Sequence, residues 1–151
     1  MKICIYGAGA IGGYLGVELM RAGADVSLVA RGAHLAAMRQ NGLKLLIGDE
    51  ERVVHPRCTD NPAELGEQDF VIICLKAHSI TGVIEPMRPL LGERTRIVTA
   101  VNGIPYWYFY RHGGRHEGST LESIDPGGRQ WSELGAARAI GCVVYPATEI
   151  E

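Results

Sequence analysis

The first twenty-one residues constrain the fold more than any other stretch. A short apolar run, Ile3 to Tyr6, breaks into Gly7-x-Gly9-x-x-Gly12 and continues as a helical pattern through Arg21. Strand, tight glycine turn and helix, in that order, are what a dinucleotide site requires. Gly7 allows the sharp turn, Gly9 lets a pyrophosphate approach the backbone, and Gly12 lets helix and strand pack closely. The expected phosphate-binding residues are therefore Gly7, Ala8, Gly9, Ala10, Ile11 and Gly12, where free N–H groups at a helix start meet anionic oxygens. The alternative is a glycine-rich turn with no ligand.

Arg31 narrows the reading. After the first helix ends near Gly23, Asp25 to Ala30 reads as a second strand whose tip is Ala30-Arg31-Gly32. At that tip an acid accepts the ribose hydroxyl bonds of NAD. Here no carboxylate stands there. A guanidinium holds a 2′-phosphate with paired, charge-assisted bonds, whereas a carboxylate repels it. Arg31 thus points to NADPH, against the alternative of a solvated surface arginine.

Composition bounds the rest. With 151 residues the chain is expected to form one domain over 1–151, and its formal charge of −2 gives no electrostatic case for nucleic acid or an acidic membrane surface. No apolar run approaches a membrane span, and the glycines and charges near the start argue against a secretory signal. Cys4, Cys74 and Cys142 lie in apolar strand-like runs, Cys58 follows the Arg52 to Pro56 segment, and none forms a CxxC pair. Reduced thiols in a cytoplasmic protein are expected. The five histidines show no metal-ligand spacing.

Strand and helix signals alternate along the chain. A short helix is expected over 33–41, then a hairpin of Leu43 to Ile47 and Arg52 to His55 around Gly48-Asp49-Glu50-Glu51. Asn61 to Leu65 reads as a turn, Phe70 to Leu75 as a strand buried on both faces, and Ser79 to Leu91 as a helix limited by Pro86 and Pro89. Arg96 to Val101 is a further strand. Val101-Asn102-Gly103-Ile104-Pro105 turns into an aromatic helix, Tyr106 to Tyr110, whose rings are expected to pack rather than bind. A strand is expected around Leu121 to Ile124, a helical turn at Trp131 to Leu134, and a last strand from Arg138 to Tyr145. The fold class is α/β, a Rossmann-type doubly wound, mainly parallel sheet with an inserted β-hairpin.

Several segments together carry a family resemblance: the N-terminal GxGAIGG turn, Leu28-Val-Ala-Arg31-Gly32, Leu75-Lys76-Ala77, Val101 to Pro105, Asp125-Pro126-Gly127-Gly128 and Ile140 to Pro146. In order and approximate spacing the chain resembles ketopantoate reductase (2-dehydropantoate 2-reductase) over essentially its whole length. The resemblance implies NADPH-dependent reduction of the keto group of a small 2-keto acid, ketopantoate, on the route to pantothenate. Lys76, expected to emerge at the carboxyl edge of a buried strand, resembles a family lysine near the adenosine phosphate. Asn102, whose amide can donate and accept at once, resembles the asparagine at the cofactor–substrate junction. Ala147 resembles a position whose backbone touches the nicotinamide.

The resemblance also implies a proton-donating lysine on a separate C-terminal helical domain. The chain's only lysines are Lys2, Lys44 and Lys76, and none matches that role. These residues are therefore expected to bind cofactor with little or no activity alone and to pack against that helical domain; isolated from it, they are expected to dimerise or aggregate through the apolar surface it would cover. Two other readings stay open: the same architecture acting on another 2-keto acid or related carbonyl, and a non-catalytic NADPH-sensing module.

Overall fold

The apolar runs become strands of one sheet in the computed structural model, which describes residues 1–150. The chain begins β1 (Lys2–Tyr6), α1 (Ala10–Arg21), β2 (Asp25–Val29), α2 (Gly32–Asn41), β3 (Leu43–Ile47), β4 (Glu50–Val54) and β5 (Arg57–Thr59). It continues through β6 (Phe70–Ile73), α3 (Ala77–Ile80), α4 (Ile84–Met87), β7 (Arg96–Thr99) and β8 (Ala139–Gly141). Six strands form a sheet in the order β5-β2-β1-β6-β7-β8, and every pairing in it is parallel. The order reverses direction beside β1, so the crevice outside the carboxyl ends of the strands lies at the switch point where such sheets bind ligands.

Alternation along β1 sends Ile3 and Ile5 to one face of the sheet, and Cys4 and Tyr6 to the other. On the first face Val17, Leu28, Leu35, Met38 and Leu43 complete a buried layer beneath α1, α2 and the hairpin. On the second, Ile73, Ile84, Met87, Leu90, Ile97 and Leu134 are fully buried. Burying side chains of this size contributes about 1.5–3 kcal/mol each, which is why the short helical pieces between residues 77 and 90 hold although none is long enough to be stable alone.

The two-stranded hairpin β3–β4 packs on α1. A Cβ on Gly16 would lie 3.1 Å from Leu43, so the glycine gives the hairpin room to sit close. Arg52 ties the two together by bonding Glu18 of α1 and, at 2.7 Å, Glu50 of its own strand. Those bonds hold the Glu50 carboxyl below its ordinary range and push the Arg52 guanidinium upward.

The expected hairpin, the helix before it and the four strands β1, β2, β6 and β7 are observed, with ends shifted by a residue or two. Four expectations change. Tyr106 to Tyr110 is a run of turns rather than a helix, with bonds from Tyr108 N–H to Pro105 O and from Tyr110 N–H to Trp107 O that do not propagate. Leu121 to Ile124 is a turn, closed by Ile124 and Asp125 N–H on the Leu121 carbonyl, and no strand lies beside it. The Ser79 to Leu91 helix starts at Ala77 and breaks into alternating α and 3-10 pieces, because Gly82, Pro86 and Pro89 interrupt the ladder. The last strand pairs only over Ala139–Gly141. One strand was not foreseen: β5, three residues around Cys58, pairs with β2 through Leu28↔Cys58.

The aromatic segment does pack. Tyr106 is buried, Trp107 Nε1 donates to Thr99 Oγ1 at 3.3 Å, and Tyr110 meets Trp131 edge-on. Asp125, also buried, accepts the N–H groups of Gln130 and Trp131 at 2.7 and 2.9 Å and so starts the wide helical turn over Gln130–Gly135.

A Cβ on Gly12 would overlap the carbonyl oxygen of Gly7 and press on Ile5. Gly12→Ala is expected to lower stability by about 2–3 kcal/mol through overpacking, read as a shifted denaturant midpoint. An unchanged midpoint would show that α1 is free to move off β1.

Candidate functional site at the carboxyl edge

The glycine turn is built as its spacing demands. Gly7 sits at φ +104°, and a Cβ there would lie 2.7 Å from Leu75. Gly9 precedes α1, and a Cβ on it would meet no protein atom within 4 Å, so its backbone faces open space. Gly13 N–H bonds the Gly9 carbonyl at 2.7 Å, whereas the N–H groups of Ala10, Ile11 and Gly12 have no protein acceptor among the described residues. No acidic side chain lies in the first turn of α1 and no side chain caps it. The turn thus offers unpaired donors and the positive end of a twelve-residue helix to an anion.

The other residues singled out in the sequence come to the same edge. Arg31 lies two residues beyond β2, Lys76 three beyond β6, Asn102 three beyond β7, and Ala147 six beyond β8. Arg31 and Lys76 are exposed, and neither makes an ion pair or a side-chain hydrogen bond among the described residues. Arg21, Lys44, Arg52, Arg88 and Arg129, by contrast, all meet carboxylates. Since β1 lies between β2 and β6, these two cations flank the glycine turn, one beyond each neighbouring strand.

Asn102 is already engaged. Its Nδ2 donates to the Val144 carbonyl at 2.9 Å and its Oδ1 accepts the Val144 N–H at 3.0 Å. One N–H and one lone pair remain for anything else.

A cleft of about 520 Å³ opens at the glycine turn, lined by Ala8, Gly9 and Ala10, by α2, by β3, and by Ala147 to Ile150. Its size is that of a cofactor site. His34, on α2, donates Nε2–H to the Ala8 carbonyl at 2.6 Å and so braces the turn. Thr148 Oγ1 is buried with no hydrogen-bond partner. Neither residue carries a signal in the local pattern, and sequence reasoning passed over both. Unpaired turn donors, an open Gly9, two free cations and an orphaned hydroxyl fit a dinucleotide phosphate chain.

The edge holds no activated nucleophile. Burial pushes the Cys74 thiol up to about 12, with Cys142 adding to the rise, and burial moves the Tyr106 phenol upward as well. Burial likewise carries Cys4 to about 12. No cluster of potential metal ligands occurs among the described residues.

The parallel order, the glycine turn and the ligand crevice define an α/β protein of the Rossmann type. Comparison with known proteins narrows this. The model of the ketopantoate reductase PanE/ApbA family matches residues 3–106, and the chain belongs to that family. Its members are NAD(P)H-dependent oxidoreductases. A 2-dehydropantoate 2-reductase of Mesorhizobium japonicum is 51% identical over 152 aligned positions, 100% of this chain and 47% of its own. A crystal structure from Ralstonia solanacearum, assigned as a ketopantoate reductase, superposes with a TM-score of 0.88 at 41% identity, over 95% of this chain and 44% of that one. A D-mandelate dehydrogenase solved with NADH and anilino(oxo)acetate gives 0.65 at 26%, over 70% and 35%. The chain spans about half the length, or less, of the curated relatives it matches.

A thiol with a pKa of about 12 is about 10⁻⁴ ionised at pH 8. Alkylation at that pH is expected to leave Cys4 and Cys74 unmodified in the folded protein and to label both after unfolding, read by peptide mass spectrometry. Rapid labelling of Cys74 in the folded state would reopen it as a reactive group.

Proposed function

We propose that these residues form the NADPH-binding part of a reductase that acts on a small 2-keto acid, ketopantoate being the substrate that family membership favours. The observation that carries the cofactor choice is Arg31, exposed and free of any carboxylate at the tip of β2. An acid at that tip would serve a ribose hydroxyl, whereas a guanidinium serves a 2′-phosphate. Lys76 approaches from the other side of the turn. The N–H groups of Ala10, Ile11 and Gly12 take the pyrophosphate, Asn102 stands at the nicotinamide ribose and keto oxygen, and Ala147 offers its backbone to the nicotinamide.

When bound, NADPH supplies the hydride that reduces the keto carbon. Negative charge then builds on the keto oxygen, which must take a proton to become the hydroxyl. This chain's lysines do not meet that need. Lys2 starts β1, at the opposite end of the sheet, and Lys44 is paired with Glu51 at 2.8 Å. Lys76 is committed to cofactor in this reading. The family resemblance implies a lysine donor on a separate helical half, and none of these three lysines takes that role in this reading. Ile104, Tyr108, Val143 and Tyr145, all exposed after β7 and β8, make the face on which we expect that half to pack.

The test is calorimetric titration of the purified protein with NADPH and with NADH at low salt. Arg31→Ala is expected to weaken NADPH by roughly 10–100-fold, as loss of a charge-assisted pair does, and to leave NADH nearly unchanged. Equal affinity for both nucleotides in the wild type would overturn the NADPH assignment. It would leave an NADH enzyme, as in the mandelate dehydrogenase structure, as the better reading.

A further inference from the structure

The β7–β8 ladder ends at the pair Thr99↔Gly141. Three residues further along each strand, in unbroken register, stand Asn102 and Val144. Here the backbones no longer pair, and the Asn102 side-chain amide makes both bonds instead, donating to Val144 O at 2.9 Å and accepting from Val144 N–H at 3.0 Å. Among the described residues these two are the only hydrogen bonds made by 143–150. The segment they hold leads directly to Ala147 and Thr148, which line the same cleft as Ala8, Gly9 and Ala10.

Building on the cofactor reading above, we infer that Asn102 is a positioning residue, a latch that keeps the 143–150 segment against the glycine turn so that Ala147 and Thr148 close the cofactor cleft. The residue type suits the task. A planar amide presents a donor and an acceptor side by side, as a peptide unit does, whereas a carboxylate at neutral pH only accepts and an alanine offers neither. The latch brings Thr148, whose Oγ1 is buried without a hydrogen-bond partner, into the lining of the cleft. Holding the segment in place before binding removes the cost of ordering it during binding. Asn102 then acts on the cofactor through Val144, in addition to whatever its remaining N–H and lone pair touch.

Two readouts on the purified protein test this. The first is backbone hydrogen exchange at Val144 with no nucleotide present. Asn102→Ala is expected to speed it roughly three- to tenfold, the effect of losing one modest bond, with β1 and β6 unchanged. In Asn102→Asp the ionised carboxylate still accepts the Val144 N–H but loses the bond to the Val144 carbonyl and faces it with like charge, so exchange at pH 7 is expected between the wild-type and Asn102→Ala rates. Below the ordinary carboxyl range, about pH 4, the protonated acid both donates and accepts, and exchange returns toward the wild-type rate measured at the same pH. Unchanged exchange in Asn102→Ala overturns the latch.

The second readout is the NADPH dissociation constant in Asn102→Ala, in Val144→Pro, which removes the N–H that Asn102 accepts, and in the double variant. The expected result is non-additive: each single substitution weakens NADPH several-fold, and the double variant is no weaker than the worse single. Additive losses overturn the proposal, since Asn102 then acts on the ligand by direct contact alone. Failure of the wild type to bind NADPH overturns the cofactor reading itself, while the exchange experiment judges the latch separately.

Discussion

The arrangement depends on the contact between α1 and the end of β1, where Gly12 lies so close to the Gly7 carbonyl that no side chain fits between them. The helix is a poor one by composition, carrying Gly12, Gly13 and Gly16 at about 1 kcal/mol each relative to alanine. What it loses in propensity it regains in proximity. Ile5, Val17 and Leu28 are fully buried around it, at about 1.5–3 kcal/mol each, and the hairpin seats Leu43 against the space left by Gly13 and Gly16. The same closeness aims the first N–H groups of α1 past the end of β1, into the crevice at the carboxyl edge. Packing and ligand geometry are here one constraint.

Charge acts locally. A formal net charge of −2 says nothing of an anion site. Among the described residues, five of the fifteen lysines and arginines meet acids: Arg21 and Arg52 with Glu50, Arg52 also with Glu18, Arg88 and Arg129 with Glu133, and Lys44 with Glu51. Arg31 and Lys76, the two that flank the glycine turn, do not. An exposed ion pair is worth little to stability, so leaving these two unpaired costs the fold almost nothing and keeps their charge available to a ligand.

Much of this was legible in the chain because it is local. The short apolar run Ile3 to Tyr6 read as a strand, Phe70 to Leu75 read as a strand buried on both faces, and the glycine spacing read as a turn with a helix behind it. Since each site residue follows a strand closely, a parallel sheet was enough to bring Gly9, Arg31, Lys76 and Asn102 to one edge. What escaped is what distance in the chain decides. β5 has three residues and no alternation to betray it, and exists because β2 offers it an edge. Tyr106 to Tyr110 was expected as a helix although aromatic residues are mediocre helix formers, and it is held in turns by buried Tyr106 and by Trp107, which reaches Thr99. The Asn102–Val144 pair joins residues 42 apart; Asn102-Gly103 reads locally as a turn, and nothing nearby names its partner.

The chemistry at the edge is that of holding, not of proton transfer. A ketone reductase needs a group that gives up a proton near neutral pH as charge arrives on oxygen. Cys74 and Tyr106 are carried by burial in the wrong direction, toward keeping their protons. A group shifted this way is not poised near neutral pH and so is a poorer general acid than one that is. In the function proposed above, binding groups and proton source are separate: backbone donors and fixed charges on a rigid sheet edge would hold the phosphates and ribose, and the acid would come from another element.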